Sequence, residues 1–140
     1  MSNQEVIEKL WDQRDQINII EDSEAKKSIE NVLNLLDQGK LRVCEKKDDV
    51  WHVNQWLKKA ILLSFRIQDM EMISGGPSVS HGNTSWWDKV PSKFQNWTSE
   101  NFQSAGFRAV PNCVVRRSAF NAKSAVLMPV SYTHLTLPTT

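Results

Sequence analysis

Apolar residues in the first third of the chain recur at helical spacing. Ile7, Leu10, Trp11 and Ile17 form one stripe, and Ile29, Val32, Leu33 and Leu36 a second. Such recurrence every three to four residues marks a helix with one buried face. Ser2-Asn3-Gln4-Glu5 has the form of a capping box ahead of the first stripe. Asp22 or Ser23 opens the second, and Gly39 lies just past its end, where a left-handed backbone is needed. The period then changes to two. Leu41, Val43 and Glu45 alternate with Arg42, Cys44 and Lys46, Lys47-Asp48-Asp49 predicts a turn, and Val50 to Val53 returns as the second strand of a hairpin. Asn54 is placed to cap a third helix over residues 55–66. Its Trp56, Leu57, Ala60, Ile61, Leu62, Leu63 and Phe65 make it too apolar for a surface helix, and it is read as the buried central one.

Beyond it the pattern is less regular. Residues 67–73 predict a short strand, and Ser74 to Ser85, rich in Gly, Ser and Pro, an exposed loop. WWDKVPSKFQNW is dense in aromatics and carries a proline, which predicts an irregular, packed connection. Thr98 is placed to cap a short helix with Phe102 and Ala105 facing inward and Gly106 ending it; a strand over 107–110 then stops at Pro111. The last regular pattern has a beat of six. Val114, Phe120 and Val126 are so spaced, Val115, Asn121 and Leu127 follow one place later, and small residues recur at Ser118, Ala119, Ser124 and Ala125. A six-residue apolar and small beat predicts a left-handed parallel β-helix, in which three hexads close one triangular coil. A single coil buries its face only against the next, so the pattern reads as the opening of a repeat domain.

Composition narrows the function classes. A chain of 140 residues with 40% hydrophobic and 24% charged residues is that of an ordinary globular domain. A net charge of +1 argues against a dedicated nucleic-acid or anionic-membrane binder, which carries a clustered basic excess. No apolar run approaches the roughly 18 residues of a membrane span, and the charged, amphipathic N-terminus is not a signal peptide. Cys44 and Cys113 lack metal-type spacing and are read as two thiols of a cytoplasmic protein.

Three segments together resemble one family. LRVCEKKDDVWHVNQWLKKAILLSFRI, WWDKVPSKF and AGFRAVPNCVVRRSAFNAKSAVLMP look like the N-terminal half of the tetrahydrodipicolinate N-succinyltransferases, hexapeptide-repeat acyltransferases, with the likeness spanning roughly Met1 to Pro129. Asn121 departs from the aliphatic residue usual at its position. The resemblance implies an α+β fold: a small, mainly helical N-terminal domain with a β-hairpin over 1–110, then the first coil of a truncated left-handed β-helix over 111–129. It implies transfer of a succinyl group from succinyl-CoA, as co-substrate, to the amino group of ring-opened tetrahydrodipicolinate in lysine and diaminopimelate biosynthesis. It further implies a homotrimer, no bound cofactor or metal, and no nucleic-acid or membrane partner. Arg108, within Gly106-Phe107-Arg108-Ala109-Val110-Pro111, matches the family's substrate-binding arginine. No residue here matches the family's acidic substrate-site residue, so catalytic residues are expected on coils outside this sequence, and the chain alone is expected to be inactive.

The last eleven residues, Val130 to Thr140, have no Lys, Arg or acidic residue. Ser131-Tyr132-Thr133-His134-Leu135 is what TCT TAT ACA CAT CTG, a transposase mosaic-end sequence, encodes; the segment 130–140 is therefore read as a non-native, adaptor-derived tail. Other chemistry-bearing residues have plainer readings. Arg116 and Arg117 are expected at a solvated coil corner, Lys58 and Lys59 to reach outward from their helix, and Arg66 to pair with an ion or the helix dipole. Trp86, Trp87 and Trp97 lack the basic interleaving of a base-stacking platform and are expected to pack under the loop. His52 and His81 have no ligand partners at metal spacing. The alternative to the enzyme reading is a non-catalytic helical protein-interaction module.

Overall fold

The computed structural model describes residues 2–16, 18, 19, 21–79 and 82–129. Ile17, His81 and the tail 130–140 therefore lie outside the described residues, as does every expectation made for them. The first three helices are α1 (Asn3–Asp12), α2 (Ser23–Asp37) and α3 (Gln55–Ser64). The capping box of α1 is present: the Glu5 N–H donates to the Ser2 hydroxyl, and the Ser2 N–H to the Glu5 carboxylate at 2.8 Å. At the start of α2, the Asp22 carboxylate accepts from the N–H groups of Glu24 and Ala25, both at 3.0 Å. Its C-terminus closes through Gly39, at φ +70°. The Gly39 N–H donates to the Leu36 carbonyl and the Lys40 N–H to the Leu35 carbonyl, both at 2.9 Å, the paired bonds of a Schellman motif.

The three helices bury one core. Ile7, Ile29, Val32, Leu57 and Leu63 are its fully enclosed large side chains, each contributing about 1.5–3 kcal/mol by leaving water. Helix α3 is central, as its composition predicts, yet Leu62 is exposed and Trp56 and Ile61 only partly covered. Lys59 does not reach freely into solvent: it forms an ion pair with Glu8, joining α3 to α1. Arg66 binds the Asp15 carboxylate at 3.0 Å and the Arg14 carbonyl, the ion pairing expected of it.

Strands β1 (Cys44–Lys47) and β2 (Val50–Val53) pair antiparallel through a turn in which Asp48 and Asp49 take positive φ. Asn54 precedes α3, but its side chain makes no cap. Its amide donates to the Arg42 carbonyl at 2.7 Å and to the Glu45 carboxylate at 2.9 Å, tying the hairpin to the helix start. The expected loop over 74–85 is instead part of a second antiparallel hairpin, β3 (Glu71–Val79) with β4 (Gly82–Asp88), whose register shifts between Ser74 and Ser78. The expected strand over 67–73 thus begins only at Glu71. Trp86 and Trp87 lie on this hairpin and are exposed at 47% and 67%, which corrects the expectation that they pack under a loop.

Trp97 does pack. It joins Phe94, Phe102 and Phe107 in a cluster with ring centroids 5.0–6.4 Å apart. Helix α4 (Ser99–Ala105) supplies Phe102 and ends at Gly106 in left-handed conformation. Its start is fixed by Asn101, whose side-chain oxygen accepts from the Thr98 N–H at 2.8 Å and the Thr98 hydroxyl at 2.9 Å.

The segment after α4 returns alongside itself. Strand β5 (Arg108–Ala109) pairs in parallel with β6 (Val126–Leu127), Arg108 beside Val126 and Ala109 beside Leu127. Each partner lies eighteen residues further along the chain. Four residues spaced by six, Gly106, Asn112, Ser118 and Ser124, take φ of 70°, 69°, 73° and 66°. Three are not glycine, so each holds a conformation that L-residues seldom adopt.

Candidate functional site

Arg108 is set by three neighbours in the backbone. Gly106 turns the chain out of α4, the Arg108 N–H donates to the Ala125 carbonyl at 2.9 Å, and the Val110 N–H donates to the Leu127 carbonyl at 3.0 Å. The Ser124 N–H returns to the Gly106 carbonyl at 2.7 Å. The Lys123 stem lies over Gly106, 3.4 Å from where a Cβ would stand. Arg108 is exposed, and among the described residues it makes no salt bridge. These bonds fix the Arg108 backbone, and its exposed planar guanidinium carries donors of the kind that suit a carboxylate.

The next two arginines are engaged rather than merely solvated. Arg116 pairs with Asp88 at 2.9 Å and Arg117 with Glu30 at 3.9 Å. Arg117 also lines a cleft of about 370 Å³ with Asn34, Asp37, Gln68, Lys93 and Trp97. Lys93 is the most enclosed of the salt-bridged cations among the described residues, its side chain only 7% exposed; it meets Asp37 at the end of α2 and donates to the Ala119 carbonyl at 2.9 Å. Phe120 lies against Gly39, where a Cβ would stand 2.8 Å from its ring, and the Arg42 guanidinium stacks over that ring 4.6 Å from its centroid. Lys93 and Phe120 thus dock the segment with the beat of six against the end of α2. Neither role has a local signature, since their partners are distant in sequence.

Among the described residues there is no group of His, Cys, Asp and Glu fit to hold a metal ion. His52 sits exposed in β2, and Cys44 and Cys113 are free thiols. Among the described residues no helix is long and apolar enough to cross a membrane.

Residues 2–67 match the family model described as tetrahydrodipicolinate N-succinyltransferase N-terminal. Over those residues the chain is similar to that family's N-terminal domain. The likeness runs further along the sequence. A Rhizobium etli protein named 2,3,4,5-tetrahydropyridine-2,6-dicarboxylate N-succinyltransferase is 56% identical over 128 residues, covering 91% of this chain and 43% of its own length. Proteins of the same name from Agrobacterium fabrum and Brucella suis are 57% and 58% identical over 125 and 126 residues, each covering 89% of this chain and 43% of the relative. This chain therefore spans less than half the length of these members of the family. The family match ends at residue 67, before Arg108, whereas the pairwise likenesses extend far beyond it.

Proposed function

We propose that this chain is the substrate-side part of an enzyme that transfers a succinyl group from succinyl-CoA to the amino group of ring-opened tetrahydrodipicolinate, in lysine and diaminopimelate biosynthesis. The observation that carries the reading is the 56–58% identity to proteins of that name over 125–128 residues. The geometry after α4 supports it. Parallel pairing across eighteen residues, with left-handed corners every six, is what one coil of a hexad β-helix requires. On this reading the coil begins at Gly106, the first corner, rather than at residue 111.

The chemistry divides between what is here and what further coils supply. The attacking amine must be neutral, so a general base takes its proton. The thioester oxygen gains charge as the bond forms and needs donors. The substrate's two carboxylates need cationic or amide partners, and Arg108 is proposed to hold one of them. That contact orients the amine and lowers the entropic cost of bringing two substrates together. No general acid or base is assigned within this chain. The proposed assembly is a cytoplasmic homotrimer.

The test joins residues 1–129 to the C-terminal part of the Brucella suis relative. Succinyl-CoA-dependent release of free thiol in the presence of tetrahydrodipicolinate is expected from the joined protein and not from the 140-residue chain. No turnover by a folded joined protein would contradict the reading. Robust turnover by the chain alone would contradict the need for further coils.

A further inference from the structure

The pairing of residues 91–93 has a consequence for self-association. Arg108 and Val110 donate their N–H groups toward the following pass of the chain, at Ala125 and Leu127. Successive residues of a strand present their backbone groups to opposite edges. Residues one hexad on from these, 114 and 116, face that same edge, so 115 and 117 face the other one. Both are occupied. The Lys93 N–H donates to the Val115 carbonyl at 2.8 Å, the Arg117 N–H donates to the Pro91 carbonyl at 3.0 Å, and Ser92 bridges Arg116 in antiparallel sense. Phe107, which opens the coil, is covered by Phe94, Trp97 and Phe102. Lys93 fixes the capping segment from both sides, through Asp37 and the Ala119 carbonyl.

We infer that Pro91–Lys93 and the Phe94, Trp97, Phe102, Phe107 cluster form a cap on the starting edge of the coil, and that this cap prevents a second copy of the chain from stacking its own coil there. The inference rests on reading residues 106–123 as one coil and 124–127 as the start of the next pass. An uncapped edge of a repeat fold is a template for another chain, and terminal units need a closing surface for that reason. Stacking of one molecule's coil on another's would be head-to-tail and would not close, so the removal of the cap converts a limited assembly into an open-ended one.

The test combines residue-level amide hydrogen exchange with sedimentation velocity on the 140-residue chain and on Phe94→Ala and Lys93→Ala. The N–H groups of Arg108, Val110 and Ser124 report the coil; those of Lys93 and Arg117 report the cap. In the unaltered chain both sets should exchange slowly. Each variant should lose protection at Lys93 and Arg117, keep it at Arg108 and Val110, and at least about double its average mass over a tenfold rise in concentration where the unaltered chain levels off. Fast exchange at Lys93 and Arg117 in the unaltered chain, with Arg108 and Val110 protected, overturns the cap and leaves the coil standing. Fast exchange at all five overturns the coil itself. A variant with the cap open, the coil intact and unaltered sedimentation overturns the role in blocking stacking. Loss of both sets together in both variants also overturns it, because a coil that does not outlive its cap offers no edge to a second copy.

Discussion

Arg108 lies beside Val126 in parallel register, eighteen residues apart in sequence. That pairing brings Gly106 and Ser124, both at positive φ, together through a 2.7 Å backbone hydrogen bond. It sets an exposed arginine on a strand held to β6 by main-chain hydrogen bonds.

The corners of this segment give a first prediction. Ser118 holds φ of 73° without being glycine. Ser118→Val should destabilise the chain by about 1–2 kcal/mol, since a β-branched side chain meets the carbonyl in that conformation. Ser118→Gly should be at least as stable as the parent, because glycine adopts the same backbone without strain. Urea midpoints for the two variants check the order; the reverse order would contradict the left-handed corner.

A second prediction concerns Gly39. Its φ of +70° and the Phe120 ring 2.8 Å from a would-be Cβ penalise a side chain twice. Gly39→Ala should cost about 1–3 kcal/mol. Part of that cost should vanish in a Phe120→Ala background, and a double-mutant cycle measures the coupling. Strict additivity would show that the contact is not made.

Lys93→Ala should lower stability by about 1–3 kcal/mol, less than for a fully enclosed pair because Asp37 remains partly exposed. Raising salt should recover little of it, since the lysine is shielded from solvent. Chemical unfolding of the variant at two ionic strengths checks both statements.

The Glu45 carboxyl is held below its ordinary pKa of 4.5, first by the hydrogen bond from Asn54 and then by that from Lys47. A folded-state pKa below the unfolded one means stability that is full above the ordinary value and is lost as pH falls through the lowered one. The link between the β1–β2 hairpin and α3 should therefore loosen in acid. Asn54→Ala should move the Glu45 titration, followed by carbon-detected NMR, back up toward the ordinary value; an unmoved titration would remove Asn54 as the cause.

What was legible in the sequence was what local chemistry decides. The Ser2–Glu5 box, Gly39 beyond α2 and the Asp48-Asp49 turn are each set by residues within a few positions, and each is found as predicted. The beat of six was legible too, although its inward and corner positions were not. The β3–β4 hairpin was missed because glycine, serine and proline carry no alternation, and its Met72–Trp87 cross-strand pair is exposed, so no buried face imposes a period of two. Lys93 was missed because its ion pair with Asp37 spans 56 residues. Exposed arginines all look alike in sequence. Among the described residues Arg108 makes no salt bridge, whereas Arg66, Arg116 and Arg117 each meet a carboxylate and Arg42 stacks on Phe120.

The central claim is that Arg108 holds a substrate carboxylate. Steady-state kinetics of the joined protein with Arg108→Lys and Arg108→Ala test it most directly. Losing a charge-assisted contact should cost about 2–4 kcal/mol, a roughly 30- to 1,000-fold fall in kcat/KM for tetrahydrodipicolinate, with lysine recovering only part of it and the KM for succinyl-CoA unchanged. An Arg108→Ala protein that folds, assembles and turns over tetrahydrodipicolinate with unaltered kcat/KM would contradict the account.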